Sequence, residues 1–275
     1  MTSRLMKKIR AIRARNFLPK FLETSDIDPV VEAEPDASPS TTFTAHPVRL
    51  PDGTSTMPEL TWDMSQEPFF VASRTALRKA FGDDLSGKSI LDLGCLEGGY
   101  TAEFARLGMN ATGLEVRTSN FRNCEIVRKA LGLPNLRFVQ DDCWNIEKYG
   151  IFDVIFCSGL LYHLDNPVAF LKLMRKQCNL LILDTHFATE ESTTTYTMSD
   201  IVIHEGLRGR WYVETPDGGN PKDDNAKWTA WGNSNSFWPM ESEVVRAIKE
   251  AGFTNIDLDV FPTRVASQRQ SIVAS

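Results

Sequence analysis

At 275 residues the chain is long enough for one large domain or two small ones, and a composition of 42% hydrophobic and 24% charged residues is that of a globular protein. No apolar run approaches the roughly 20 residues that span a bilayer, and a formal net charge of −6 disfavours wholesale binding to a polyanion. The five cysteines, Cys95, Cys124, Cys143, Cys157 and Cys178, form no CxxC pair, so neither a zinc cluster nor a disulfide framework is indicated, no metal is expected, and the lack of a secretory apolar core points to a cytoplasmic chain.

The N-terminus departs from this acidic balance. Residues 1–22 carry Arg4, Lys7, Lys8, Arg10, Arg13, Arg15 and Lys20 beside Leu5, Ile9 and Ile12 at helical spacing. They read either as a frayed basic tail or as a surface helix making peripheral contact with the inner face of a membrane, or with RNA. Residues 23–60 read as an acidic, Pro- and Ser-rich linker followed by a hairpin or turn signal at Asp52-Gly53. A domain is expected over 61–275. It opens with an amphipathic helix, "FFVASRTALRKAFG", whose Phe70, Leu77 and Phe81 face inward.

From Ser89 onward apolar strands alternate with amphipathic helices. Strands are expected at Ser89–Leu93, Ala111–Val116, Leu136–Val139, Phe152–Ser158 and Leu180–Asp184, with helices beginning near Tyr100, Ser119 and Pro167. Such near-continuous apolar strands, separated by helices, predict a doubly wound α/β domain with a mostly parallel sheet covered on both faces. A polar and aromatic stretch, 188–240, interrupts the alternation. It is followed by the helix "ESEVVRAIKEAGF", capped by Gly252, and by the strands "NIDLDVF" and "QSIVAS".

In open α/β sheets ligands bind at the carboxyl ends of the strands. The turn "DLGCLEGGY" after the first strand sets Asp92, Gly94, Gly98 and Gly99 at such an end. No Lys-Ser or Lys-Thr follows Gly99, which excludes a phosphate loop, and Leu96 stands where the dinucleotide pattern needs its second glycine. Glu115, at the end of the second strand, can accept from both hydroxyls of a ribose. Asp142, at the end of the third, is placed for an exocyclic adenine amine.

The segments "ILDLGCLEGGYTAEFA", "GLEV", "FVQDDCWNI" and "DVIFCSGLLYHLDNP" together resemble the successive motifs of class I S-adenosylmethionine-dependent methyltransferases, over about Ser89 to Asp184. The resemblance implies a Rossmann-like, seven-stranded sheet whose last strand is antiparallel, with S-adenosyl-L-methionine as cofactor. It places Gly94 and Gly98 beside the amino-acid end of that cofactor, Glu115 on its ribose, Asp142 and the Cys143 backbone at its adenine, and Ser158 near the sulfonium. Leu96 departs from the family's usual glycine, which bears on the shape of the turn. A sulfonium cation without phosphate suits a Lys-free loop set among Asp92, Glu97 and Glu115.

Methyl transfer needs a base only when the acceptor must lose a proton. His163, just beyond the fourth strand, is the first candidate, and His186, in "LDTHF", the second. The 188–240 insertion reads as an acceptor lid carrying Trp211, Tyr212, Trp231 and Trp238, or equally as a structural flap with its own satellite core. The expected function is O- or N-methylation of a small-molecule, carbohydrate or lipid-linked acceptor. Local resemblance of "GLLYHLDNP" and "NSNSFWPMESEVVRAIKEAGF" to tRNA wobble-uridine carboxymethyltransferases makes RNA the alternative acceptor. A non-catalytic module that binds S-adenosylmethionine, and an NAD-dependent oxidoreductase disfavoured by Leu96 and Asp142, are the readings from other classes. Neither the acceptor atom nor the oligomeric state follows from sequence.

Overall fold

Five apolar runs that cannot be left in water become five parallel strands, and the amphipathic segments between them cover both faces of the resulting sheet. The computed structural model describes residues 42–191, 196–215, 218–258 and 268–275. The basic segment 1–22 and the acidic stretch that follows it, as far as residue 41, lie outside the described residues.

In chain order the elements are helix α1 (Pro68–Phe81), β1 (Ser89–Leu93), α2 (Gly99–Arg106), β2 (Asn110–Glu115), α3 (Thr118–Leu131), β3 (Leu136–Gln140), β4 (Phe152–Ser158), α4 (Pro167–Gln177) and β5 (Cys178–His186). The insertion contributes β6 (Val202–His204), β7 (Leu207–Val213) and β8 (Asn235–Pro239), and the chain closes with α5 (Glu241–Glu250), β9 (Ile256–Leu258) and β10 (Arg269–Ala274). The main sheet runs in the order β3-β2-β1-β4-β5-β10-β9, with β10 antiparallel to both its neighbours. Strand order reverses between β1 and β4, and a crevice therefore opens at their carboxyl ends.

Alternation along each strand divides the core in two. Leu91, Leu93, Ile155, Cys157, Leu181 and Leu183 face α4 and α5, whereas Ile90, Val154, Phe156, Leu180 and Ile182 face α1, α2 and α3. Pro68 at the first turn and the Glu67 carboxylate, which accepts from Phe70 N at 2.9 Å, start α1, and Gly82 at φ +90° ends it. Phe70 and Leu77 are buried, while Phe81 is only half-buried at the last turn. Strand β5 runs past the expected Asp184 because β10 pairs with it as far as His186 opposite Arg269. That pairing carries both residues to the crevice.

The insertion folds into a three-stranded antiparallel sheet, β6-β7-β8. Its β6–β7 hairpin turns at Glu205 and Gly206, with φ of +48° and +80°. The Glu205 carboxylate caps α4 by accepting from Val168 N and Ala169 N at 2.7 and 2.9 Å, so the insertion is tied to the start of that helix. No helix among the described residues is long and apolar enough to cross a membrane.

Candidate functional site

The turn between β1 and α2 bends through three left-handed residues, Gly94, Leu96 and Gly98, at φ +65°, +51° and +80°. Leu96 thus keeps the backbone conformation that a glycine adopts freely, at a steric cost of about 1–2 kcal/mol. Hydrogen bonds on both sides hold it. Leu96 N donates to Glu115 Oε2 at 2.9 Å, and Cys124 Sγ donates to Leu96 O at 3.0 Å. The Leu96 side chain borders the crevice without filling it.

The crevice is a cavity of about 580 Å³, within the range usual for small-ligand sites. Of the residues singled out from sequence, Gly94, Glu115, Asp142, Cys143, Ser158, His163, His186, Tyr212, Trp231 and Trp238 all line it. Asp92, Gly98 and Trp211 are among those that do not. Asp92 is buried beneath the turn, accepting from Thr101 Oγ1 at 2.6 Å, and burial pushes its carboxyl up to about 7. Gly98 packs its backbone against the Phe138 ring, which leaves no room for a side chain. Trp211 was expected in the lid, but it packs at a tilt against His204 and edge-on against Phe237 on the core, at ring distances of 4.7 and 5.3 Å. The correction follows from strand geometry: adjacent residues on β7 point to opposite faces, so Tyr212 turns to the cavity and Trp211 away from it.

Residues 42–67 supply a wall, although sequence reads 23–60 as linker and hairpin and opens the domain only at 61. The turn at Asp52-Gly53 does form, closed by pairing of Arg49 with Ser55, and the segment brings Thr44, His46, Trp62, Met64 and Glu67 to the cavity. Glu97 fastens it. This carboxylate, 1% exposed, accepts from the backbone N–H groups of Thr44, Ala45 and His46 at 2.9–3.1 Å and pairs with Lys227 of the insertion at 3.3 Å. Burial acts to raise its pKa, but the donated N–H groups prevail and hold it below the ordinary carboxylate value. Glu97→Ala is expected to destabilise the fold by about 2–3 kcal/mol, since it strands several donors at once; the midpoint of denaturant unfolding measures this. His46 Nδ1 accepts from Gly99 N at 3.0 Å, which caps α2 and leaves the ring proton on Nε2. Burial pushes this imidazole down to about 4, against the pull of Glu97 and Glu67.

A strap from the insertion, residues 220–232, crosses the tip of β2. Arg117, two residues beyond Glu115, donates to Thr229 O and Ala230 O at 2.8 and 3.0 Å, and its guanidinium lies 5.2 Å from the centre of the Trp231 ring. Ser119 N donates to Asp224 Oδ2 at 3.0 Å. Lys227, Trp228, Thr229 and Ala230 join the cavity lining here.

Beyond Ser158 the cavity becomes aromatic. His186 stacks on Trp238, 4.7 Å away with 17° between planes, and meets the edge of Tyr162 at 4.4 Å. Its Nδ1–H donates to Gln268 O at 3.0 Å, and burial together with the neighbouring Arg269 pushes its pKa down to about 4. Arg269 pairs with Asp184 and faces the Tyr162 ring at 5.6 Å. His163 sits on a short 3-10 turn, Leu161–His163, with Nδ1 2.8 Å from Glu214 Oε1. Glu214, Arg269, Lys227 and His46 were all missed from sequence. None lies in a motif, and only the folded pairing brings Arg269, Lys227 and His46 to the crevice and Glu214 to His163 behind it.

The residues present fit S-adenosylmethionine. Glu115 receives Leu96 N on one oxygen and Arg117 N on the other; an ionised carboxylate has roughly four acceptor sites, so two remain for adjacent ribose hydroxyls. Burial raises the Glu115 pKa, against the two donated N–H groups. Asp142 Oδ1 accepts from Trp144 N at 3.0 Å, which fixes this side chain at the tip of β3. Glu67, Glu115, Asp141 and Asp142 line the cavity and outnumber its basic residues Arg117, Lys227 and Arg269, a balance that suits a sulfonium cation better than a pyrophosphate.

Residues 84–216 match the family model of a methyltransferase domain. The tRNA U34 carboxymethyltransferase of Campylobacter lari is 29% identical over 120 residues, covering 41% of this chain and 40% of that protein. The ubiquinone biosynthesis O-methyltransferase of Albidiferax ferrireducens is 27% identical over 90 residues, covering 32% of this chain and 36% of its own length. The chain thus spans about two fifths of the length of these curated relatives. Among solved structures, the N-terminal domain of EvdMO1 with SAH bound superposes with a TM-score of 0.60 and 26% identity over 76% of this chain and 80% of that one. The same domain in the presence of SAH and D-fucose gives 0.60 and 25%, over 76% and 82%. In its strand order, in the bend after β1 and in the cavity at the strand tips the chain is similar to the class I S-adenosylmethionine-dependent methyltransferases.

Proposed function

We propose that the protein transfers the methyl group of S-adenosylmethionine to a small-molecule acceptor, with a sugar hydroxyl the preferred target. One observation carries this reading: the cofactor end of the cavity, at Gly94, Glu115 and Asp142, continues past Ser158 into a chamber walled by Tyr162, His186, Tyr212 and Trp238. Aromatic faces receive the C–H faces of a sugar ring, while His163, His186 and Arg269 provide polar contacts for its hydroxyls. The presence of D-fucose with the EvdMO1 domain supports the same class. Bound S-adenosylmethionine supplies an electrophilic methyl carbon on a leaving group that needs no proton, so the chain contributes alignment and exclusion of water. The strap and the 42–67 wall perform the exclusion.

RNA is the second reading, favoured by the likeness to tRNA U34 carboxymethyltransferases. A net charge of −6 opposes it. Peripheral membrane contact rests only on residues 1–22, which lie outside the described residues.

Calorimetry with S-adenosylhomocysteine, against NAD, tests the cofactor first; saturable binding of the former alone is expected. Radiolabelled methyl transfer to D-fucose, to other free sugars and to fractionated extract then identifies the acceptor. Label removed by glycosidase supports the sugar reading, label removed by nuclease replaces it with RNA, and binding without transfer reduces the protein to a cofactor-binding module.

A further inference from the structure

Glu214 follows β7 directly and is 4% exposed. An ionised carboxylate withdrawn from water costs several kcal/mol unless donors surround it, and here three do. Oε2 accepts from Ala230 N at 3.0 Å; Oε1 accepts from Ser236 Oγ at 2.6 Å and lies 2.8 Å from His163 Nδ1. A carboxylate in this state can only accept. The proton between the two must therefore belong to Nδ1, and in the neutral ring His163 Nε2 is left with its lone pair.

The two groups come from different parts of the fold. His163 belongs to the β4–α4 connection, Glu214 to the insertion. Ala230, the third member, lies on the strap whose carbonyls Arg117 holds at the tip of β2, two residues from Glu115. Glu214 thus joins the cofactor side of the cavity to the histidine on its acceptor side.

We propose that Glu214 is a positioning residue that fixes His163 as the Nδ1–H tautomer, making Nε2 the proton acceptor for the group being methylated, and that this group is accordingly a hydroxyl. The proposal rests on the methyl-transfer reading above. An amine attacks with a lone pair it already has and can shed its proton to water afterwards; a sugar hydroxyl needs the proton taken as it attacks. The balance is complete without any further reactant: the hydroxyl proton moves to Nε2, the oxygen forms the new C–O bond, and the electron pair of the broken C–S bond stays on sulfur. The imidazolium so formed faces the Glu214 carboxylate, which stabilises the new charge in a poorly solvated place. His186 lacks this arrangement, because its Nδ1–H is given to a neutral carbonyl and Arg269 stands beside it.

Long-range ¹H–¹⁵N spectra of the full ¹⁵N-labelled chain, with S-adenosylhomocysteine present, read the tautomer directly. The sequence has four histidines, and a His163→Gln sample assigns the signal. A protonated Nδ1 and a bare Nε2 are expected at neutral pH; a protonated Nε2 overturns the proposal. Glu214→Gln should lower methyl transfer to the acceptor by about 100-fold or more with S-adenosylhomocysteine affinity kept, and Glu214→Asp should recover part of the loss. Wild-type turnover in Glu214→Gln overturns it as well. If that variant does not fold, the wild-type tautomer decides alone. If the wild-type chain binds no S-adenosylhomocysteine, it is the methyl-transfer reading that fails, and the tautomer is still measurable without ligand.

Discussion

His163→Ala is expected to lower methyl transfer by about 10²- to 10⁴-fold, the range typical for loss of a positioned base, while S-adenosylhomocysteine affinity stays unchanged. The separation follows from placement. His163 sits on the Leu161–His163 turn beyond β4, toward the aromatic chamber, and is held there by Glu214 from the insertion. The groups fitted to the nucleoside are on other strand tips: Gly94 after β1, Glu115 ending β2, Asp142 after β3. Single-turnover transfer measures the first quantity and calorimetry the second. If affinity falls together with rate, His163 is holding the cavity wall instead of moving a proton. His186→Ala should be milder in rate, because burial keeps that imidazole a weak base, but it removes a stacking partner of Trp238 and should raise the acceptor KM.

The largest expected loss of stability comes from one methyl group on the turn. Gly98→Ala is expected to destabilise the fold by about 3 kcal/mol, from left-handed strain of about 1–2 kcal/mol and overpacking of about 1–3 kcal/mol. The new Cβ would stand 2.5 Å from Phe138 Cζ and 3.4 Å from Cys124 Sγ. The same edge of Phe138 already fills the space that a side chain on Gly113 would need, its Cδ1 2.6 Å from that Cβ position. One ring is thus wedged between two glycines of neighbouring elements. Urea titration measures the loss. Because the clash lies with a single ring, Phe138→Leu in the same chain should cost less than the sum of the two separate changes, and a double-mutant cycle reads that coupling. Strict additivity would mean that backbone strain alone is responsible.

Strands were legible because burial on both faces leaves a continuous apolar run, and β1 and β4 begin and end where that pattern predicts. The turn was legible because glycines are spent where φ must be positive. What escaped is whatever depends on distant pairing. Nothing near Glu214 or Arg269 marks them, since one meets His163 behind the cavity wall at the end of β7 and the other reaches the cavity through its register with His186. Trp211 and Tyr212 show the same limit at a single step: composition says that aromatics are dense there, but only the facing strand decides which of two neighbours looks inward. The 42–67 wall was hidden for another reason. It has little regular structure, and Glu97 orders it through backbone N–H groups, which any sequence possesses.

That fastening by Glu97 bears on how the chain can be divided. A fragment trimmed to the stretch 84–216 keeps β1 to β5 but discards the flank donated by 42–67, the latch at Lys227 and the strand β10 bearing Arg269. Such a piece would be a floor with no room built on it. For grafting or domain-exchange work the smallest portable unit is 42–275, with both extremities of that span needed to enclose a nucleoside.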